Sequence, residues 1–443
     1  MSYDHFFDHF CQRYTHQPEY LQAVSELLHS IWPFYSSHPK YQQQSLLERI
    51  LEPERLIRFR VCWVDDKGMV QVNRAFRIQH SSAIGPYKGG MRFHPSVNAS
   101  ILKFLAFEQT FKNALTSLPM GGGKGGSDFD PKGKSEGEIM RFCQALMLEL
   151  YRHVGPDTDV PAGDIGVGAR EVAYMAGMMK KLTNRNDCVF TGKSVSFGGS
   201  QLRPEATGYG LLYFVSAMLA QSNQHIAGKH ISISGSGNVA QFAIEKAIAL
   251  GGKVITASDS SGCIYDPLGF TAEKLQSLQA IKTNGGQIKE YADRVGVQFH
   301  EKRSPWFVPT DIALPCATQN ELRNGDAKLL ITNGVQLVAE GANMPCTAEA
   351  ISLFHETGVS FAPGKAANAG GVATSGLEMS QNAQRLSWSR EIVDEHLQQI
   401  MISIHSLCIE YGRDNKGWIN YERGANIASF VRIADAILEQ GIL

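Results

Sequence analysis

The sequence carries no excess of charge. Its 42 Lys and Arg balance 43 Asp and Glu, for a net charge of −1. That argues against binding to nucleic acid through bulk electrostatics. A long apolar run is also missing. The longest candidate, residues 211–220, is interrupted by Ser216 and falls well short of the roughly 18 apolar residues of a membrane helix, so no membrane partner is expected. The opening stretch MSYDHFFDHF holds acids, histidines and aromatics. Without a basic region followed by an apolar one, it predicts no secretory leader. None of the eight cysteines forms C-x-x-C or sits at metal-finger spacing. The expectation is no metal site and scattered reduced thiols in a cytoplasmic protein.

Glycine is plentiful instead, at 43 residues, about 10% of the chain against the usual ~7%. The length predicts two or three domains with a core that needs no staples. In the N-terminal stretch, Phe6, Phe7, Phe10, Leu21, Val24, Leu27, Leu28 and Ile31 recur at helical spacing, and Pro33 is the expected stop. Residues 58–64 and 70–79 alternate about the turn DDKG, which predicts a hairpin. Two glycine-rich segments, GPYKGGMRFHP (85–95) and PMGGGKGGSDFDP (119–131), read as loops around a helix at 97–116. A helix at 135–153 opens on the S-x-x-E of a capping box, and 154–168 reads as loop.

Beyond residue 200 an apolar helix runs to 219. Short strands at 231–234, 253–258, 311–314, 334–339 and 359–362 then alternate with helices such as 238–250. This predicts a doubly wound parallel sheet. Residues 387–443 read as helical. The expected fold is α/β with two domains and a cleft between them. Residues 1–200, completed by C-terminal helices at about 376–443, form a substrate and oligomerisation domain. Residues 201–375 form a Rossmann-like dinucleotide domain.

Within the second region, Gly235-Ser236-Gly237-Asn238-Val239-Ala240 is G-x-G-x-x-A between an expected strand and helix. Gly235 permits the tight turn and Gly237 a close approach of pyrophosphate, while Ala240 allows close packing of helix on strand. The helix N-terminus offers unpaired N–H groups to the phosphates. Asp259, at the end of the next strand, suits a ribose 2′-hydroxyl and hence NAD. Ser260, Ser261 and Lys282 suit a 2′-phosphate and hence NADP. The pattern alone leaves that choice open.

Three lysines lie in or near glycine-rich turns: Lys88 in YKGG, Lys112 in EQTFKN and Lys124 in GGGKGG. Gln109 and Lys112 share one helix face. Glycine lets a substrate approach the backbone closely. Three neighbouring ammonium groups suit a small dicarboxylate, and their mutual repulsion favours a neutral, basic lysine. Lys124 is the expected base, with Asp164 in PAGDIGVG as its partner acid.

The motifs GPYKGGMRF, LAFEQTFKNAL, PMGGGKGG, PAGDIGVG, RPEATGYG, SGSGNVA, LPCATQNEL, AEGANMP and FAPGKAANAGGVATSG, in this order along nearly the whole chain, resemble those of the hexameric glutamate dehydrogenases. The resemblance is greatest to their bacterial and fungal NADP-dependent type. It implies a homohexamer that interconverts 2-oxoglutarate, ammonium and NADPH with L-glutamate and NADP+, with NAD as a weaker alternative. It also implies that Lys88 and Ser375 hold the side-chain carboxylate, Lys112 and Gln109 hold the 1-carboxylate, and Gly163 lines the substrate loop. Lys124 and Asp164 are the implied catalytic pair, and Thr207, Asn238, Asn343 and Asn368 the implied cofactor contacts. Relatives acting on leucine, phenylalanine or valine would need an apolar pocket, where a buried Lys88 would be an unpaired charge. A non-catalytic dinucleotide-binding protein would have no use for Lys124 and Asp164 together.

Overall fold

The computed structural model describes residues 2–442. It divides into two units, Met1–Gln201 with Ser375–Val393 and Asn426–Leu443, and Leu202–Thr374 with Asp394–Ala425. The sequence pattern assigns all of 376–443 to the first unit, whereas the structure groups 394–425 with the second. Local contacts explain the difference. Asp394 accepts a hydrogen bond from the Tyr213 hydroxyl at 2.6 Å and faces Lys246 Nζ at 3.4 Å, both on helices of the second unit.

The first unit opens with helices α1 (Tyr3–Arg13), α2 (Pro18–Ser37) and α3 (Leu46–Leu51). Pro33 does not end α2 but lies inside it. Its ring removes one backbone donor. The buried stripe of Val24, Leu27, Leu28 and Ile31 holds the helix in place, and the Ser36 and Ser37 hydroxyls donate to the Pro33 carbonyl at 3.2 and 3.0 Å.

A five-stranded sheet follows in the order β1-β2-β4-β3-β5. Its strands are β1 (Arg55–Val64), β2 (Val70–Ser81), β3 (Tyr87–Phe93), β4 (Gly122–Ser127) and β5 (Asp159–Ala162). The expected hairpin is β1–β2, paired antiparallel from Arg55 with Gln79 to Val64 with Val70. Both glycine-rich segments expected as loops are strands, and the segment at 154–168 contains β5. Glycine serves close approach here rather than turning. A Cβ at Gly89 would overlap the Gly123 carbonyl, and one at Gly122 would overlap Thr110 of helix α4 (Ala99–Leu115).

Alternation sends β2 side chains to two cores. Phe76 and Ile78 pack with Leu102 and Ala106 of α4. Ala75 joins Met91, Phe93 and Phe129 against helices α5 (Glu136–Leu150) and α6 (Ala169–Thr183). The expected capping box starts α5. Glu138 N donates to Ser135 Oγ at 3.1 Å, and Ser135 N to Glu138 Oε2 at 2.9 Å.

In the second unit the apolar helix is α7 (Ala206–Ala220). Its main sheet is parallel, ordered β13-β12-β11-β6-β7. The chain makes β6 (His230–Ile233) first, then helix α8 (Asn238–Ala249) and β7 (Lys253–Val254). It reaches β11 (Ile312–Leu314), β12 (Leu337–Ala339) and β13 (Ser360–Ala362) on the other side of β6. The order therefore reverses beside β6, where doubly wound sheets bind ligands. The single strand expected at 253–258 is split. Its second part, β8 (Thr256–Asp259), leaves for a separate antiparallel sheet with β9 (Gly262–Tyr265) and β10 (Gln298–Glu301). Helices α9 (Ala272–Thr283), α10 (Ile288–Val295), α11 (Asn324–Thr332), α12 (Ala348–Thr357) and α13 (Gly364–Ala367) complete this part. The C-terminal region is helical as expected, in α14 (Gly370–Gln384), α15 (Arg390–Gly412) and α16 (Tyr421–Gln440). Among the described residues no helix is long and apolar enough to cross a membrane, and no cluster of His, Cys, Asp and Glu could hold a metal.

Candidate functional site

In the first unit, β3 lies between β4 and β5. Met91 to Phe93 pair in parallel with Gly125 to Ser127, and Tyr87 to Gly90 with Asp159 to Ala162. Strand alternation puts Lys88, Gly90 and Arg92 on one face of β3, and the partner of Arg92, Gly126, shares its face with Lys124. A buried ion pair keeps this frame rigid. Arg77 and Asp159 are both fully inaccessible. Arg77 Nε donates to Asp159 Oδ2 at 2.8 Å, while Nη1 donates to the Gly89 carbonyl at 3.1 Å.

β5 runs directly into Gly163 and Asp164, which turns back through mutual backbone hydrogen bonds with Val167. The Lys124 ammonium donates to Asp164 Oδ1 at 2.9 Å, and Arg92 Nε donates to Oδ2 at 2.6 Å. The Lys124 side chain is 7% exposed and that of Asp164 19%. Burial opposes ionisation of Asp164, but the charges and hydrogen bonds of Lys124 and Arg92 outweigh it. They lower the carboxyl pKa to about 2. The immediate neighbour of Lys124 is thus the carboxylate expected as its partner acid, and that carboxylate bridges a second cation, Arg92, which the sequence pattern does not anticipate.

Lys88 is buried, at 2% exposure. Its carbonyl accepts a hydrogen bond from Asn113 Nδ2 of α4 at 3.1 Å. One turn earlier on α4, half-buried Gln109 donates to Asn113 Oδ1 at 2.6 Å. A Cβ on Gly89 would lie 3.4 Å from Gln109 Cγ, so α4 sits directly on this strand. Lys112 follows Gln109 on the same helix and is half-buried. Ser375, buried on α14, precedes Gly376, where a Cβ would press on Leu118 and Met120 just before β4. The first unit therefore gathers Lys88, Gln109, Lys124, Gly163 and Asp164 around β3 and α4, with Ser375 beside the entry to β4.

Two groups escape the sequence reading. Arg92 stands four residues after Lys88 on the same strand face. Reading that segment as a loop conceals the alternation that would have found it. Thr191 is buried, with its hydroxyl lacking a partner among the described residues. Its N–H donates to the Pro161 carbonyl at 3.0 Å, and no spacing in the sequence marks it.

In the second unit, Gly235, two residues beyond β6, has φ +86°, and a Cβ there would crowd the Cys316 carbonyl. That conformation and contact require glycine. Gly237 is the N-cap of α8 with no side-chain cap. It is exposed, and a Cβ on it would meet nothing within 4 Å. The first-turn N–H groups, including those of Asn238 and half-buried Val239, therefore border open space, which fits a pyrophosphate. Asn238 Nδ2 donates to the Pro204 carbonyl at 2.6 Å, which ties α8 to the segment entering α7. Thr207 stands in the first turn of α7, with its hydroxyl against Gly371. Asn368 Nδ2 donates to the Ala342 carbonyl and to Asn343 Oδ1, both at 3.0 Å.

The end of β8 bears on the two uses weighed for Asp259. Its Oδ1 accepts from Ser261 N at 2.9 Å and Ser261 Oγ at 2.5 Å, and its Oδ2 from Lys282 Nζ at 3.0 Å and Ile288 N at 2.8 Å. Burial raises its pKa, but these donors more than reverse it, so the group stays ionised. A carboxylate has about four acceptor sites, and all four are used. Asp259 thus holds Ser261 and Lys282 in place, with exposed Ser260 between, and has no capacity left for a ribose hydroxyl.

Known proteins resemble the chain along its length. Residues 198–441 match the family model Glutamate/Leucine/Phenylalanine/Valine dehydrogenase, and residues 53–181 match its dimerisation domain. Over 443 residues the chain is 66% identical to the NADP-specific glutamate dehydrogenase of Salmonella typhimurium, covering 100% of this chain and 99% of that one. It is 60% identical over 429 residues to the NAD-specific glutamate dehydrogenase of Bacteroides fragilis, covering 96% of each. The crystal structure of Plasmodium falciparum glutamate dehydrogenase superposes with a TM-score of 0.97 at 52% identity, covering 99% of this chain and 94% of that one. The chain therefore belongs to the Glu/Leu/Phe/Val dehydrogenase family.

Proposed function

We propose that this protein is an NADP-dependent L-glutamate dehydrogenase, which reversibly converts 2-oxoglutarate, ammonium and NADPH to L-glutamate, NADP+ and water. The observation that carries this reading is the Lys124–Asp164 pair at 2.9 Å, on the same sheet that buries Lys88. Full-length similarity to an NADP-specific glutamate dehydrogenase supports it. Lys88 and Ser375 hold the distal carboxylate of the substrate, and Lys112 with Gln109 the 1-carboxylate. Gly163 lets the substrate lie against the backbone. Lys124 then sits at the reacting carbon. It donates a proton to the carbonyl oxygen as ammonia adds, and again as the carbinolamine loses water to give the iminium. In reverse it activates the water that adds to that iminium. Asp164 enters ionised, accepts protons from the incoming amine and passes them to Lys124, while Arg92 keeps it in place.

The nucleotide fits the second unit. Gly235, Gly237, Asn238 and Val239 would receive the pyrophosphate. Thr207, Asn343 and Asn368 would hold the nicotinamide side, and Ser260, Ser261 and Lys282 the 2′-phosphate, with Asp259 positioning the last two. When bound, NADPH supplies the hydride that reduces Cα. The saturated Asp259 favours NADP over NAD. Lys282→Ala should raise the KM for NADPH about tenfold or more by removing one charged phosphate contact and should leave the KM for NADH nearly unchanged. Equal effects on both nucleotides in steady-state assays would refute the phosphate role.

The homohexamer and the cytoplasm belong to the same proposal. Exposed Leu56, Val64, Val70 and Val72 on the β1–β2 hairpin give a surface suited to self-association, and eight free cysteines suit a reducing compartment. Light scattering should return the mass of six chains.

A further inference from the structure

One buried ion pair of the first unit is not used by this mechanism. Lys193 and Glu378 have side chains 3% and 0% exposed, and Lys193 Nζ donates to Glu378 Oε1 at 2.7 Å. The pair does more than neutralise itself. Glu378 Oε2 accepts from Gly192 N at 2.9 Å, and Lys193 N reaches Oε1 at 3.4 Å. Lys193 Nζ also donates to Asn382 Oδ1 at 2.9 Å and to the Phe190 carbonyl. Asn382 Nδ2 in turn donates to the Gly198 carbonyl at 2.7 Å. The turn Phe190–Lys193 is therefore clamped onto α14. Gly192, with φ +82°, aims its N–H at the carboxylate.

Both sides of this clamp lead to the site. On α14, Glu378 lies three residues after Ser375 and Asn382 seven, so all three share one helix face. In the turn, Thr191 N donates to the Pro161 carbonyl of β5, the strand that leads to Gly163 and Asp164. The buried Thr191 hydroxyl has no hydrogen-bond partner among the described residues. Burying two charges is costly, and the same space filled with apolar side chains often gives equal or greater stability. Here the two charges fix a geometry. We infer that Lys193 and Glu378 are positioning residues, which hold the 190–193 turn in register with Ser375 and so shape the pocket for the substrate's distal carboxylate.

The inference rests on the proposed function, and kinetics of the full-length enzyme separate the two. Glu378→Gln and Lys193→Gln are compared with wild type in kcat, in the KM values for 2-oxoglutarate and NADPH, and in the inhibition constant Ki for glutarate, a dicarboxylate without the reacting carbonyl. A misplacement near 1 Å can cost up to about a hundredfold. The expected result is a rise of about tenfold or more in the KM for 2-oxoglutarate and in the Ki for glutarate, with the KM for NADPH unchanged and kcat within about threefold. If either single variant fails to fold, the double variant K193Q/E378Q, which removes both charges, is read instead. Folded variants that keep wild-type KM and Ki, whatever their thermal stability, overturn the positioning role. A wild-type enzyme that does not turn over 2-oxoglutarate overturns the proposed function itself.

Discussion

Replacing Lys124 by methionine should lower kcat for reductive amination by about a thousandfold, within the range of roughly 10²–10⁴ that a positioned acid or base supplies. Methionine keeps most of the side-chain volume and removes the ammonium that lies 2.9 Å from Asp164. Arg92 still holds the other oxygen of that carboxylate at 2.6 Å, so the loop from Gly163 should stay in place. The loss should therefore fall on kcat, with the KM for NADPH and the melting temperature little changed. Asp164→Asn should give a loss of similar size, because the amide accepts no proton, and combining the two should cost far less than the sum. Steady-state and single-turnover kinetics check this. A Lys124→Met enzyme within about tenfold of wild type would remove Lys124 from the chemistry.

The second large effect is expected at Lys88. Lys88→Leu exchanges a buried ammonium for a shorter, uncharged apolar group. If that ammonium faces the distal carboxylate, kcat/KM for 2-oxoglutarate should fall about a thousandfold, on the order of 4 kcal/mol. Substrates with an unbranched apolar chain, such as 2-oxohexanoate, should gain, because the pocket no longer sets a charge against their apolar end. The variant should also fold well, because a buried leucine carries none of the desolvation cost of a buried ammonium. Unchanged discrimination between the two substrates would show that Lys88 does not read the distal carboxylate.

Much of this is legible in the amino-acid order, and the parts that are not share a physical cause. The fingerprint at Gly235, the capping box at Ser135 and the β1–β2 hairpin depend on local patterns, and local patterns survive in a single sequence. The strands around Lys88 and Lys124 do not announce themselves. Their glycines answer to neighbours distant in the chain: Gly123 opposite Gly89, and Thr110 opposite Gly122. Read locally, such glycines mean loop, and that reading hides Arg92. Pro33 misleads in the opposite sense, because tertiary burial of α2 outweighs one lost hydrogen bond. The membership of 394–425 depends on Tyr213 and Lys246 meeting Asp394 across more than a hundred residues, which no periodicity encodes. At Asp259 the sequence spacing fits a ribose contact equally well. Only the four donors around its carboxylate assign it to holding Ser261 and Lys282.

The most direct test of the central claim compares two substrates on the unmodified protein. Initial rates of NADPH oxidation with ammonium, followed by absorbance of the reduced nicotinamide, are measured for 2-oxoglutarate and for 4-methyl-2-oxopentanoate. A buried Lys88 that reads a carboxylate predicts kcat/KM at least about a thousandfold higher for 2-oxoglutarate, because an apolar chain gives the ammonium no hydrogen-bond acceptor. Comparable rates, or preference for the branched substrate, would contradict the assignment of the site to a dicarboxylate.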